Sequence, residues 1–149
     1  MTIKKPLKDS LNKKAIEHIG KIFSVAMPAF NHTAFCKTAL KDLDTLELKQ
    51  RVAHIIDALH QYLPSDFSET APILLRVKQL WPNNSNNSWG PFAAWPIIDY
   101  VSIYGLEHPQ ISLDVLKELT ELFSAEFAIR PFLIHHFDIT YAMLEQWCD

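Results

Sequence analysis

Glycine is scarce in this 149-residue chain: three residues, Gly20, Gly90 and Gly105, against nine prolines. β-Sandwiches and dinucleotide-binding folds use glycine freely in turns and phosphate loops, so the shortage points to helices. No run approaches the ~18 consecutive apolar residues that a membrane span needs. The first fourteen residues, MTIKKPLKDSLNKK, are basic but no apolar stretch follows them, so a secretory signal is not expected. The two cysteines, Cys36 and Cys148, lack CxxC spacing and cannot form a disulfide framework. Reduced thiols in a cytoplasmic protein are the expectation. Gly-rich phosphate loops, GxSxG elbows and HExxH motifs are also missing, which removes those enzyme classes.

What is present fits one globular domain: 48% hydrophobic, 21% charged and 11% aromatic residues. Charge is uneven. Residues 1–21 hold six lysines against Asp9 and Glu17, a net of +4, whereas the remaining 128 residues hold eight basic and fifteen acidic side chains, a net of −7. Bulk charge thus opposes general polyanion affinity, and only the N-terminal segment suits phosphates.

Apolar residues recur at helical spacing through most of the chain. Leu11, Ala15, Ile16, Ile19, Ile22, Phe23 and Ala26 predict a helix over 11–27, capped by Ser10 and stopped by Pro28. Asn31 caps a second helix to about Leu40, and Thr45 opens a third carrying Leu48, Val52, Ile55, Ile56, Leu59 and Leu63. A fourth, begun at Ser65 or Asp66, reaches Leu80 or Trp81, with Pro72 moving its start toward Thr70. Residues 82–91, PNNSNNSWGP, read as an exposed loop. Helix resumes over Phe92–Tyr104, with Gly105 as its end signal. After Pro109, residues Ile111, Val115, Leu116, Leu119, Leu122 and Phe123 face inward; Ser124 caps another helix, and Asp138 caps the last, Ile139–Trp147. Paired, these helices fall at 11–40, 46–81, 92–123 and 125–148, near the ~40-residue period of HEAT-type repeats. A plain helical bundle gives much the same pattern.

Candidate chemistry is thin. His32 with Cys36 and His54 with Asp57 sit one helical turn apart, but a metal site needs three or four converging ligands and no matched pair lies nearby. His135, His136 and Asp138 offer ligand or base chemistry, and equally serve as helix-end capping groups. No metal or cofactor is expected. Trp81, Trp95 and Trp147 read as packing residues, while Trp89, in the polar loop, is free to stack on a base or a partner. Glu126 and Arg130 stand at i,i+4, the arrangement of a surface ion pair worth a few tenths of a kcal/mol. Pro131, which bends or ends a helix there, is unusual for a mere surface face.

The segment Ser124-Ala125-Glu126-Phe127-Ala128-Ile129-Arg130-Pro131-Phe132-Leu133 resembles a signature of the AlkC-type DNA alkylation repair glycosylases, grouped with AlkD-like proteins in a superfamily of HEAT-like repeats. Supporting stretches follow in the family's order: Lys8 to Asn12, Leu46 to Val52 with His54-Ile55, Leu74-Leu75, Trp95-Pro96 through Asp99-Tyr100-Val101, and Tyr104-Gly105-Leu106. The resemblance implies an all-α fold, HEAT-like antiparallel helical repeats forming a curved array. It also implies that residues 1–149 form one helical domain, the N-terminal part of a longer protein. The Asn/Ser-rich stretch 83–88 departs from the family pattern.

The implied activity is excision of cationic N-alkylated purines such as 3-methyladenine from double-stranded DNA, while the base stays stacked. A cationic base leaves readily, so a carboxylate that stabilises the oxocarbenium-like sugar is the main requirement. The resemblance gives that role to Glu126, with Arg130 orienting it or touching phosphate, Trp89 and Trp95 nominated to hold the lesion, and Lys4, Lys5, Lys8 and Lys13 to contact the backbone. The alternatives are a non-catalytic helical module that binds DNA or protein, and a scaffold with no role on DNA.

Overall fold

The computed structural model describes residues 11–82, 91–123 and 125–147, apart from the side chains of Pro91, Glu126 and Phe127. Eight α-helices account for most of them: α1 (Lys13–Ala26), α2 (His32–Leu40), α3 (Leu48–Tyr62), α4 (Phe67–Leu80), α5 (Trp95–Tyr104), α6 (Pro109–Leu119), α7 (Glu126–His135) and α8 (Phe137–Trp147). Short 3-10 turns at Leu43–Thr45 and Pro91–Ala94 lead into α3 and α5, and no strand occurs among the described residues.

Local chemistry explains the boundaries, several of which differ from those the sequence predicts. Asn12, not Ser10, caps α1, its Oδ1 accepting from the Ala15 N–H at 2.9 Å. Asn31 caps α2 in the same way at 3.1 Å, as its sequence position predicts. Thr45 does not open α3. It closes a 3-10 turn whose preceding residue, Asp42, adopts φ 58°, and α3 starts only where the Glu47 N–H donates to Gln50 Oε1 at 2.8 Å. Asp66 caps α4 directly, so Pro72 lies inside the helix instead of delaying it. That proline is exposed, so the carbonyl it leaves without a donor is on the side open to water. Residues 92–94, read as the start of a helix, form the 3-10 turn, and α5 begins at Trp95 with Pro96 in its first turn, where a missing N–H costs least. Pro131 neither ends nor caps α7, which continues to His135 because Ala128, Ile129 and Phe132 are buried on one side. Asp138 falls in the first turn of α8 and is not its cap.

The helices form two rows. In one, α2 packs on α3, α3 on α5 and α5 on α7; in the other, α1 packs on α4, α4 on α6 and α6 on α8. Contacts of α1 with α2, α5 with α6 and α7 with α8 join the rows. This is the expected antiparallel helical-repeat architecture, with one refinement. The first pair runs in the opposite order to the others, so α2 and α3 are adjacent in the same row. The core between the rows contains Ile16, Ile19, Phe23, Phe35, Ile55, Leu59, Leu74, Ile97, Leu116 and Phe132, all essentially inaccessible. Burial of each such side chain is worth about 1.5–3 kcal/mol. Ile111, expected inward, is exposed, and Ser112 takes the inward position next to it.

Gly105 explains that exchange. Its φ is −108°, so no left-handed end motif calls for glycine here. Space does: a Cβ would lie 2.3 Å from Ser112 Oγ, 2.6 Å from the Val101 carbonyl oxygen and 2.8 Å from a Phe67 ring carbon. The gap lets Ser112 Oγ donate to the Gly105 carbonyl at 2.6 Å and seats α6 against the end of α5. Gly105→Ala is expected to destabilise the chain by about 1–3 kcal/mol through overpacking, seen as a lowered Tm with unchanged helical circular dichroism at low temperature. An unchanged Tm would show that the α5–α6 junction has slack.

Candidate functional site

Two of the histidines that the sequence offers for chemistry, His54 and His136, are structural ties, and so is His60. His54 Nε2 contacts the Thr38 carbonyl at 3.1 Å, joining α3 to α2, and His136 Nε2 contacts the Leu106 carbonyl at 2.7 Å. His60 Nδ1 meets the Tyr100 hydroxyl at 3.2 Å and its ring stacks on Tyr104 with centroids 3.8 Å apart. A cleft of 460 Å³ between α1 and α2 is lined by Glu17, His18, Lys21, His32, Thr33 and Cys36. Burial, and after it the nearby Glu17 charge, push the Cys36 thiol up, which disfavours the thiolate form that a nucleophile needs. No group of three His, Cys, Asp or Glu among the described residues has the geometry to hold a metal ion.

A second cleft, 320 Å³, is smaller but chemically more specific. It opens between α3 and α5, in the row formed by α2, α3, α5 and α7. Val52, Ala53 and Ile56 from α3 and Ile103 from α5 give it apolar walls; Trp95, Asp99 and Lys49 are its polar groups. Trp95 and Asp99 stand one helical turn apart on α5, and the indole Nε1 donates to Asp99 Oδ2 at 2.8 Å. Phe92 and Phe123 also pack around the indole, with ring centroids 6.3 and 5.8 Å away. Burial pushes the Asp99 carboxyl up from the ordinary range, and the Trp95 hydrogen bond opposes this in part. Among the described residues no lysine or arginine pairs with it. A desolvated carboxylate beside an aromatic face is a receptor for a positive charge.

Of the residues nominated from sequence, Trp95 is in this cleft. It is half-buried there and does more than pack. Glu126 is the first residue of α7, which packs on α5, and Phe123, three residues before it, stacks on Trp95 at 24°. The Glu126 side chain and its pairing with Arg130, like Trp89, Lys4, Lys5 and Lys8, lie outside the described residues. Arg130 is exposed on α7, and Lys13 is exposed at the start of α1, in the other row. Asp99 was missed as a site residue, although its signal is present: a lone acid four residues after a tryptophan, in the otherwise apolar run Pro96-Ile97-Ile98.

Comparison with known proteins gives this geometry its context. No family model matches the chain. The solved structure of Pseudomonas fluorescens alkylpurine DNA glycosylase AlkC, bound to DNA containing an abasic site analog, superposes with a TM-score of 0.83 at 31% identity, covering 96% of this chain. The chain has the AlkC fold. The uncharacterized protein YhaZ of Bacillus subtilis (strain 168) is 31% identical over 144 residues, again 96% of this chain. The chain spans 38% of the length of AlkC and 38% of YhaZ.

The raised Asp99 pKa predicts a measurable signature. The fold favours the protonated carboxyl, so the stability linked to Asp99 is fully present below the ordinary aspartate value of 3.8 and is lost as pH rises through the raised pKa. Asp99→Asn keeps an acceptor for the indole without the charge. Its Tm at neutral pH is expected to equal or exceed that of the parent chain, with the difference closing toward about pH 4. A Tm several degrees lower at neutral pH would mean that the carboxylate is structural.

Proposed function

We propose that this chain carries the base-excision centre of a DNA glycosylase that removes cationic N-alkylated purines, of the 3-methyladenine type, from double-stranded DNA during base excision repair. The observation that carries the reading is the Trp95–Asp99 pair at an open apolar cleft, on a fold shared with AlkC. An alkylated purine has a formal positive charge. As its C1′–N bond breaks, the bonding electrons neutralise the base, which leaves without protonation, and the positive charge moves to the sugar. The Asp99 carboxylate stabilises that oxocarbenium-like sugar and accepts a proton from the water that adds to C1′. The indole face attracts the cationic base before cleavage. An open cleft suits a base that remains stacked, since a flipped base needs a deep, enclosed pocket.

Glu126 keeps, within this proposal, the carboxylate role that the family resemblance gives it, with Arg130 orienting it or meeting phosphate. Trp89 is a second aromatic for the lesion, and Lys5, Lys8 and Lys13 are backbone contacts. The stacking of Phe123 on Trp95 supports pairing the start of α7 with the cleft. No cofactor enters the scheme, and its setting is DNA in the cytoplasm. No helix among the described residues is long and apolar enough to cross a membrane.

A non-catalytic DNA-binding module is the second reading, favoured by the net charge of −3 and by the 38% share of AlkC that the chain spans. Quantifying free 3-methyladenine released from methylated DNA separates the two. The proposed function expects release by the parent chain and a loss of about a hundredfold in Asp99→Asn and in Glu126→Gln, the scale of ~3 kcal/mol of transition-state stabilisation. Release that survives Asp99→Asn removes the cleft from the mechanism; binding without release establishes the module.

A further inference from the structure

Lys49 shares the cleft with Asp99 and Trp95, yet it is exposed and makes no ion pair with any described residue. Its position is unfavourable for the helix itself. Lys49 is the second residue of α3, and the partial positive charge of a helix N-terminus repels a cation there. Its i+3 and i+4 neighbours, Val52 and Ala53, offer no carboxylate. Lys78, by contrast, bridges to Glu121 at 2.8 Å and Glu118 at 3.6 Å, linking α4 to the end of α6. Lys49 therefore contributes no evident stability, and it faces a cleft whose other charged group is acidic.

The two charged groups form no ion pair with each other, and Ala53, Ile56 and the exposed Ile103 share their lining. An occupant complementary to this arrangement has a cationic, flat end, a compact apolar middle and an anionic end. A nucleotide with an alkylated base has all three: the charged purine, the deoxyribose and the phosphate. We infer that Lys49 grips a backbone phosphate next to the damaged nucleotide, while the sugar rests on Ala53 and Ile103. The contact rests on the proposed glycosylase reading and adds the register: one phosphate held on α3 sets the sugar opposite Asp99 on α5. Lys49 acts on binding and register and takes no part in proton transfer.

The test uses the 149-residue chain and a duplex containing a tetrahydrofuran abasic analog, so binding is read without catalysis. Lys49→Gln is expected to weaken binding about tenfold at low salt and to reduce the slope of log K against log salt by about 0.9, the loss of one phosphate contact. Lys49→Arg restores both. Lys117→Gln, on α6 in the other row, changes neither. A single neutral methylphosphonate beside the analog weakens the parent chain by a similar factor and leaves Lys49→Gln unaffected. Unaltered affinity and slope in Lys49→Gln, or no DNA binding by the parent chain, overturns the inference. If the phosphate contact is found but methylated DNA yields no free base, the contact stands and the glycosylase reading falls.

Discussion

No helix among the described residues is long enough to be stable alone. They run from nine residues in α2 to fifteen in α3, at or below the ~12–15 residues where an isolated helix becomes marginal in water. Each exists because a neighbour covers its apolar face, and the two-row arrangement lets every helix bury that face against the next. Burial is consequently the constraint on which everything else depends. It sustains α4 and α7 through internal prolines.

Apolar packing has no strong preference for register, and a set of buried polar ties supplies it. The Arg51 guanidinium, almost fully buried, donates through Nε to the Leu46 carbonyl at 3.0 Å and through an η nitrogen to the Leu11 carbonyl at 3.2 Å, fastening the start of α1 to α3. Arg76 Nε donates to the Ala26 carbonyl at 2.9 Å and locks α4 to the end of α1. Thr140 Oγ1, donating to the Phe132 carbonyl at 3.1 Å, does the same for α8 and α7. Directional bonds like these are costly to leave unmade once buried, so they select one alignment among many of similar apolar area. The histidines at 54 and 136 belong to this set, which is why they are absent from the cleft.

The cleft is where these economies are relaxed. Asp99 lies in a largely apolar wall without a cationic partner among the described residues, and Lys49 lies at a helix end that repels it. Groups placed against their own electrostatic preference mark a surface arranged for something other than stability. Rigid helices on both sides fix the carboxylate relative to the lysine, which a loop-built site would not do as well.

Helix content, two of the caps and the approximate repeat length were readable from residue spacing, because amphipathic periodicity and capping chemistry are local. Asn31 and Asp66 cap where a linear reading places them, whereas Thr45, Ser10 and Asp138 do not, since several polar residues compete within a turn and packing chooses among them. Trp95 was legible as an aromatic of interest. Asp99 was not, because a single acid in an apolar helix acquires meaning only when a neighbouring helix leaves it beside a cleft. Lys49 was invisible for the same reason: it is forty-six residues from Trp95 and meets it only because α3 packs on α5. The sequence by itself determined which segments are helical and which faces are apolar. Tertiary structure alone decided which charges face one another, because row order and the inversion of the first pair depend on contacts between residues far apart in the chain.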